Sequence, residues 1–384
     1  MRALTFAVAT ALVLTTSPAV PASADTTPRL PAPTGRHPVG TTSLYLEDTS
    51  RPDPWVPSVA ARELMVSLFY PAASARGPKK QYMTPVESSA VLEEAGLTTV
   101  PPDALAAVRT NAVVDARPLP GRKHSRPLVV LSPGFKRPRA TLSTLAEDLA
   151  SHGYVVVVVD HTYENVATTF PDGRVAPCAA CGNHDPEFWS ALERGRATDV
   201  SFVLDQLTGP LRHRPGADLV DPSRIAMGGH SVGGASSLAA LRADPRILAA
   251  IDVDGSISTP VPETGMSRPV MLLGRRSAYA PGTGGSAKSW EDAWPLLTGW
   301  RRWLVVDGMV HPSFTDLGVL AGQLGVDLGA AVGGERGAAI TRAHVRAFFD
   351  LHLRGVPQPL LDGPSPDSTS SSATRRRPPW VMLR

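Results

Sequence analysis

Gly229-His230-Ser231-Val232-Gly233 places a serine inside a G-x-S-x-G frame. The apolar stretch Arg224–Met227 (RIAM) before it reads as a strand, and Ala235–Leu241 after it as a helix. That strand–turn–helix context gives the match its meaning. A turn so tight strains the serine backbone, and side chains at 229 and 233 would run into neighbouring main chain. The hydroxyl then points out of the carboxyl edge of a sheet, with the N-terminus of the next helix facing any oxyanion formed there. The bland alternative is a glycine-rich turn with a capping serine. The chemistry expected of the sharper reading is attack by Ser231 on a carbonyl carbon.

A serine hydroxyl is a poor nucleophile at neutral pH and needs a base, itself oriented by a third group. On a sheet with this kind of turn, the acid and then the histidine follow the serine in chain order, at the ends of later strands. The run Leu248–Val253 ends in Asp252-Val253-Asp254-Gly255. Asp254, just beyond the apolar run, is the first choice for the acid, and Asp252, within it, is the runner-up. Of the later histidines, His311 follows the strand Trp303–Val306 through a short loop, which is where a base belongs. His344 and His352 sit on an amphipathic stretch and read as packing or surface positions. His230 is an elbow residue directed away from Ser231, and His161 reads as pocket wall or structure. Two backbone N–H groups must hold the oxyanion. Val232 supplies one; in Ser132-Pro133-Gly134-Phe135, Pro133 has no N–H, so Phe135 supplies the other.

The elements that position these groups alternate along the chain. Leu128–Leu131 and the unbroken β-branched run Tyr154–Val159 read as strands, the second buried on both faces. Thr141–His152 and Ala197–Leu207 carry apolar residues at helical spacing. Leu248–Val253, Pro269–Leu273 and Trp303–Val306 are further strands, and Thr341–Leu353 is a closing helix ended by Gly355 and Pro357. Such alternation predicts an α/β fold: a mostly parallel, doubly wound sheet with helices on both faces, in one catalytic domain over 41–360. Between Tyr279 and Trp300, Trp290, Trp294 and Trp300 either wall an acyl pocket or pack the core.

The ends read differently. Arg2, the apolar run Ala3–Leu14 and the small triplet Ala22-Ser23-Ala24 form a secretory signal peptide over 1–24, too short to span a bilayer. Residues 25–40 form a Pro-rich extended lead-in, and 361–384 a disordered Ser/Pro tail holding Arg375-Arg376-Arg377. The net charge of +3 and the lack of a basic block in the folded part argue against a nucleic-acid partner. The arginine run allows at most peripheral contact with a lipid surface. Cys178 and Cys181 are the only cysteines, and in an exported chain they read as a local disulfide. Redox chemistry, or a metal site joined by His184, is the weaker reading. No feature sets an oligomeric state, and a monomer is the working expectation.

The strings L-S-P-G-F, G-H-S-V-G-G, D-V-D-G and V-D-G-M-V-H-P-S-F-T-D, in that order, resemble the platelet-activating factor acetylhydrolase family. They are also similar to actinobacterial secreted lipases and polyester-cleaving esterases. The resemblance spans about 39–353, including Ser67-Leu68-Phe69-Tyr70-Pro71-Ala72, similar to that family's first strands. It implies the α/β-hydrolase fold, nucleophile Ser231, acid Asp254, base His311, oxyanion donors Phe135 and Val232, and no metal or cofactor. Pro133 departs from the histidine common there. The expected activity is hydrolysis of carboxylic or lipid esters through an acyl-enzyme. A histidine base works only when neutral, so activity should rise through about pH 6–8. An acyltransferase or peptidase on the same triad, or a non-catalytic binding module, are the alternatives, and the acyl-chain preference is open.

Overall fold

The computed structural model describes residues 27–182, 185–362 and 381–383. The proposed signal peptide, His184 and the arginine run lie outside the described residues. The chain opens with an antiparallel pair, β1 (Val39–Asp48) and β2 (Arg62–Pro71), followed by α1 (Pro85–Glu94) and the short β3 (Val113–Val114). Then come β4 (Arg126–Ser132), α2 (Ser143–Ser151), β5 (Val155–His161), the hairpin β6 (Ala167–Thr169) and β7 (Val175–Pro177), and α3 (Pro186–Thr208). β8 (Val220–His230), α4 (Val232–Ala243), β9 (Ile247–Val253), β10 (Val270–Arg275), α5 (Arg276–Tyr279) and α6 (Ser286–Ala293) follow. β11 (Arg301–Val306), α7 (Asp316–Gln323), α8 (Gly334–Arg354) and β12 (Val381–Leu383) complete it.

Ten strands form one sheet in the order β12-β11-β10-β9-β8-β4-β5-β2-β1-β3. It is parallel from β12 to β5 and turns antiparallel only at β2 and β1. The valine run shows why no alternation is visible in the sequence. Val155, Val157 and Val159 face one layer, with Val200, Val203 and Leu204 of α3 and Leu238 of α4. Val156 and Val158 face the other, with Leu145 and Leu149 of α2 and Val345, Phe348 and Phe349 of α8. Both faces are dry, so every position is apolar.

Several expectations need correction. The lead-in is not wholly outside the core: Leu30 is 3 % exposed and packs with Tyr82, Val91 and Leu105. The tail is not wholly unstructured either. Val381–Leu383 pairs in parallel with Leu304–Val306, because the open edge of β11 offers an unpaired ladder. For the tryptophans, the core-packing reading is the one observed, on both faces of the sheet. Trp290 is fully buried, stacked 4.1 Å from Tyr279, whereas Trp300 lies against Phe348 and His352 on the other side. Leu204 sits at 0 % exposure at the heart of the α3 layer. Leu204→Ala should cost about 2–5 kcal/mol of unfolding free energy, read from urea denaturation at constant m-value.

Candidate active site

β8 ends at His230 and α4 begins at Val232, so Ser231 alone makes the turn, at φ 57° and ψ −132°. A non-glycine residue at positive φ is strained, and surrounding bonds must hold it. The Ser231 N–H donates to the Val253 carbonyl at 2.8 Å, and its own carbonyl accepts from the Gly234 N–H at 2.8 Å. A Cβ on Gly233 would lie 2.0 Å from the Ser132 carbonyl oxygen, and one on Gly229 2.4 Å from the Gly233 carbonyl carbon. Only glycine fits at either place. A Cβ on Gly134 would lie 3.3 Å from the Ser231 Cβ, so the loop holding Phe135 rests against the serine. Val232 is the first residue of α4, where helix N–H groups have no intrahelical partner.

Asp254 lies one residue past β9, 1 % exposed and at φ 58°. Its Oδ2 accepts from the His311 Nδ1–H at 2.5 Å, and its Oδ1 from the Arg275 backbone N–H at 2.7 Å. The Arg275 guanidinium forms an ion pair with the same carboxylate. His311 opens the turn after β11, and its side chain is 42 % exposed. The sequence-predicted acid and base therefore meet. Asp252 does not join them. Still within the strand, it accepts from the Gly255 N–H at 3.0 Å and the Trp290 indole at 3.2 Å. Burial, with Glu193 and Asp254 adding to it, pushes its carboxyl well above the usual range.

His230 has a role that its type and place did not suggest. Its ring lies 4.3 Å from that of His311, and its Nε2–H donates to the His311 carbonyl at 2.9 Å. Burial, reinforced by the His311 ring, holds its pKa well below the ordinary value. The donor atoms of His230, Asp254 and His311 lie within 4.8 Å of one another, a spacing that could suit a metal ion. The Arg275 cation already occupies the Asp254 carboxylate, so the set does not fit one well. Arg275, at the carboxyl end of β10, was missed; a charged residue ending an apolar strand at this edge was its only signal.

Beneath the Ser132–Phe135 loop lies a buried ion network. Arg196 donates to the Pro133 carbonyl at 2.5 Å, the Ser132 hydroxyl at 3.1 Å and Glu164 at 2.7 Å. His161 bridges the Ser132 hydroxyl at 3.0 Å and Asp199 at 2.7 Å. Arg62 joins Asp199, Glu164 and Asp53. Burial alone would raise the Asp199 carboxyl, but Arg62 and His161 hold it well below its usual range. His161 is thus structural, as one of its two readings had it. Above the network, Phe135 packs with Phe188 and Trp189 at centroid distances of 5.6 and 5.2 Å, and Trp55 lies 5.2 Å from Phe188. Cys178 and Cys181 form a disulfide with Cα atoms 5.4 Å apart, and Ala180 between them packs into the same ring cluster.

A serine on a strand-to-helix elbow, with a carboxylate and an imidazole delivered from later strands of a mostly parallel sheet, defines the α/β-hydrolase class. Within it, the sequence model described as platelet-activating factor acetylhydrolase, isoform II, matches residues 22–180 and 216–333, and the chain belongs to that family. It is 28% identical over 370 residues to a probable 1-alkyl-2-acetylglycerophosphocholine esterase of Arthroderma benhamiae, covering 88% of this chain and 91% of the relative. A cutinase of Thermobifida cellulosilytica, cutinase 1, is 30% identical over 125 residues, covering 32% of this chain and 37% of its own. The solved structure of a ferulic acid esterase from Streptomyces cinnamoneus is similar at TM-score 0.75 and 45% identity, covering 88% of this chain and 97% of that one. The chain is a carboxylic ester hydrolase.

The His230 environment predicts a linkage. Its folded pKa lies below the unfolded value of about 6.5, so the unfolded chain takes up the proton first as pH falls. Its contribution to stability is whole above that value and is lost below it. Buried carboxyls whose pKa is raised, Asp252 among them, respond in the opposite sense, so the informative quantity is a difference. Across pH 6.5 to 5, unfolding free energy in His230→Asn should fall less steeply than in wild type, by about 1 kcal/mol per pH unit. Equal slopes in urea unfolding would show that His230 does not titrate in this way.

Proposed function

We propose that the chain is an exported serine esterase in which Ser231, His311 and Asp254 act as a triad. The observation that carries this is the 2.5 Å hydrogen bond between Asp254 and His311, beside a serine held at φ 57° on the elbow. Ser231 Oγ attacks the ester carbonyl carbon as its proton passes to His311 Nε2. The Phe135 and Val232 N–H groups hold the oxyanion. Collapse breaks the carbon–oxygen bond to the alcohol, which leaves with the proton from His311. Water then adds by the same route, and the acid departs. Asp254 keeps the Nδ1 proton in place, so that Nε2 presents its lone pair to the serine. Arg275 in turn keeps Asp254 oriented through both its backbone and its guanidinium.

The acyl group belongs beside the oxyanion donors, where the rings of Phe135, Trp189, Phe188 and Trp55 gather. Aromatic faces favour a flat aromatic acid by offset or edge contacts. The 45% identity to a ferulic acid esterase supports the same choice, and we take an aromatic acyl ester as the preferred substrate. Export is supported by the leader-like pattern over 2–24 and by the disulfide.

Ser231→Ala should lower kcat at least about 10⁴-fold and abolish adduct formation with a fluorophosphonate. Asp254→Asn should cost about 10³- to 10⁴-fold with little change in KM. Methyl ferulate should exceed p-nitrophenyl acetate and an acetylated phospholipid in kcat/KM. Retained turnover in Ser231→Ala would refute the triad, and a clear preference for the phospholipid would refute the aromatic acyl site.

A further inference from the structure

A second hollow adjoins the candidate site on the histidine side. It has a volume of about 100 Å³ between α1 and α7, room for a short alkyl chain rather than for a whole drug-sized ligand. Val91 and Leu92 of α1, Leu105, Leu317 and Leu320 of α7, and Leu324 supply most of its wall. Among the lining residues Arg137 alone carries charge. Two of them tie the hollow to the chemistry. Pro312 is peptide-bonded to His311. Arg137 stands two residues past Phe135, and its Cγ would lie 3.7 Å from a Cβ on Gly134. Its guanidinium also pairs with Glu94 at 2.7 Å, joining the end of α1 to the loop of the candidate oxyanion donor.

We infer that this hollow is a binding site for the aliphatic chain of the ester's leaving alcohol. The inference rests on the esterase reading above. His311 must hand its proton to the departing alkoxide, so the alcohol oxygen sits beside the imidazole. An alcohol chain extending from there passes Pro312 and meets the leucine-rich wall. The acyl arm lies toward the aromatic rings around Phe135, so the two arms of the ester part at Ser231. The hollow offers hydrocarbon but, Arg137 apart, no charge, and its chemistry therefore suits an alkyl chain over a sugar or an ionic head group. Its wall does not include the Asp254–Arg275 pair, which leaves chain binding separable from the acid–base machinery.

The test is a pair of homologous series on the mature protein. With ethyl, butyl and hexyl acetate followed by pH-stat, kcat/KM should rise about two- to fourfold per added methylene, as burial of each CH₂ requires. With p-nitrophenyl acetate, butyrate and hexanoate, it should rise less. Ala321→Trp and Leu324→Trp, each filling the hollow from its rim, should flatten the alcohol series while turnover of methyl ferulate, whose one-carbon alcohol does not reach the hollow, stays within threefold of wild type. A flat alcohol series in wild type overturns the assignment. So does a rise confined to the acyl series, or one that survives both tryptophans. If the wild type cleaves no ester and takes no phosphonate on Ser231, the esterase reading itself fails, and the alcohol site with it.

Discussion

The site depends first on main chain lying directly on main chain at the elbow. The Ser132 carbonyl oxygen stands 2.0 Å from where a Cβ on Gly233 would be, and the Ser231 carbonyl 2.1 Å from where one on Gly255 would be. Three segments far apart in sequence, the ends of β4, β8 and β9, therefore meet with no side chains between them. Small shifts at such a contact have nowhere to go, because packed interiors do not compress. The serine's strained φ is held by this fit and by the Val253 hydrogen bond, not by its own preference.

Close contact alone does not orient the loop after β4. Its carbonyl and hydroxyl groups end in the buried network of Arg196, His161, Glu164, Asp199 and Arg62. Ion pairs in a dry interior seldom add much stability over apolar packing, yet removing one partner is severe. Their use here is directional. Each guanidinium has a fixed fork of donors, and Arg196 spends three of its bonds on Glu164, Ser132 and Pro133. The loop over the serine is thus tied to β5 and α3 rather than left to its own glycine.

Much of this was legible in the residues. The G-x-S-x-G frame, the acid just past an apolar run and the histidine after the next strands are local patterns, and the structure brings Asp254 and His311 into contact. The valine run announced a strand covered on both faces. What escaped notice depends on partners distant in sequence. Arg275 and Asp254 are 21 residues apart, and Arg196 and Pro133 are 63 apart. No spacing rule connects such pairs. His230 escaped for a different reason: its neighbour in sequence is the serine, but its ring partner comes from a loop 81 positions away. Leu30 and Val381–Leu383 were hidden by polar, proline-rich surroundings that masked a few apolar residues with places to fill.

The short strand β12 bears on how the molecule meets its neighbours. It lies along Leu304–Val306, the stretch that leads directly to the loop of His311. An uncovered sheet edge invites another chain to add itself. Here residues 381–383 of the same chain take that place, and the guard is only three residues long. Residues 381–383 therefore flank the strand that carries the imidazole, and any load on them bears directly on that strand. Arg29 and Leu30 of the lead-in lie elsewhere, beside α1 and α7.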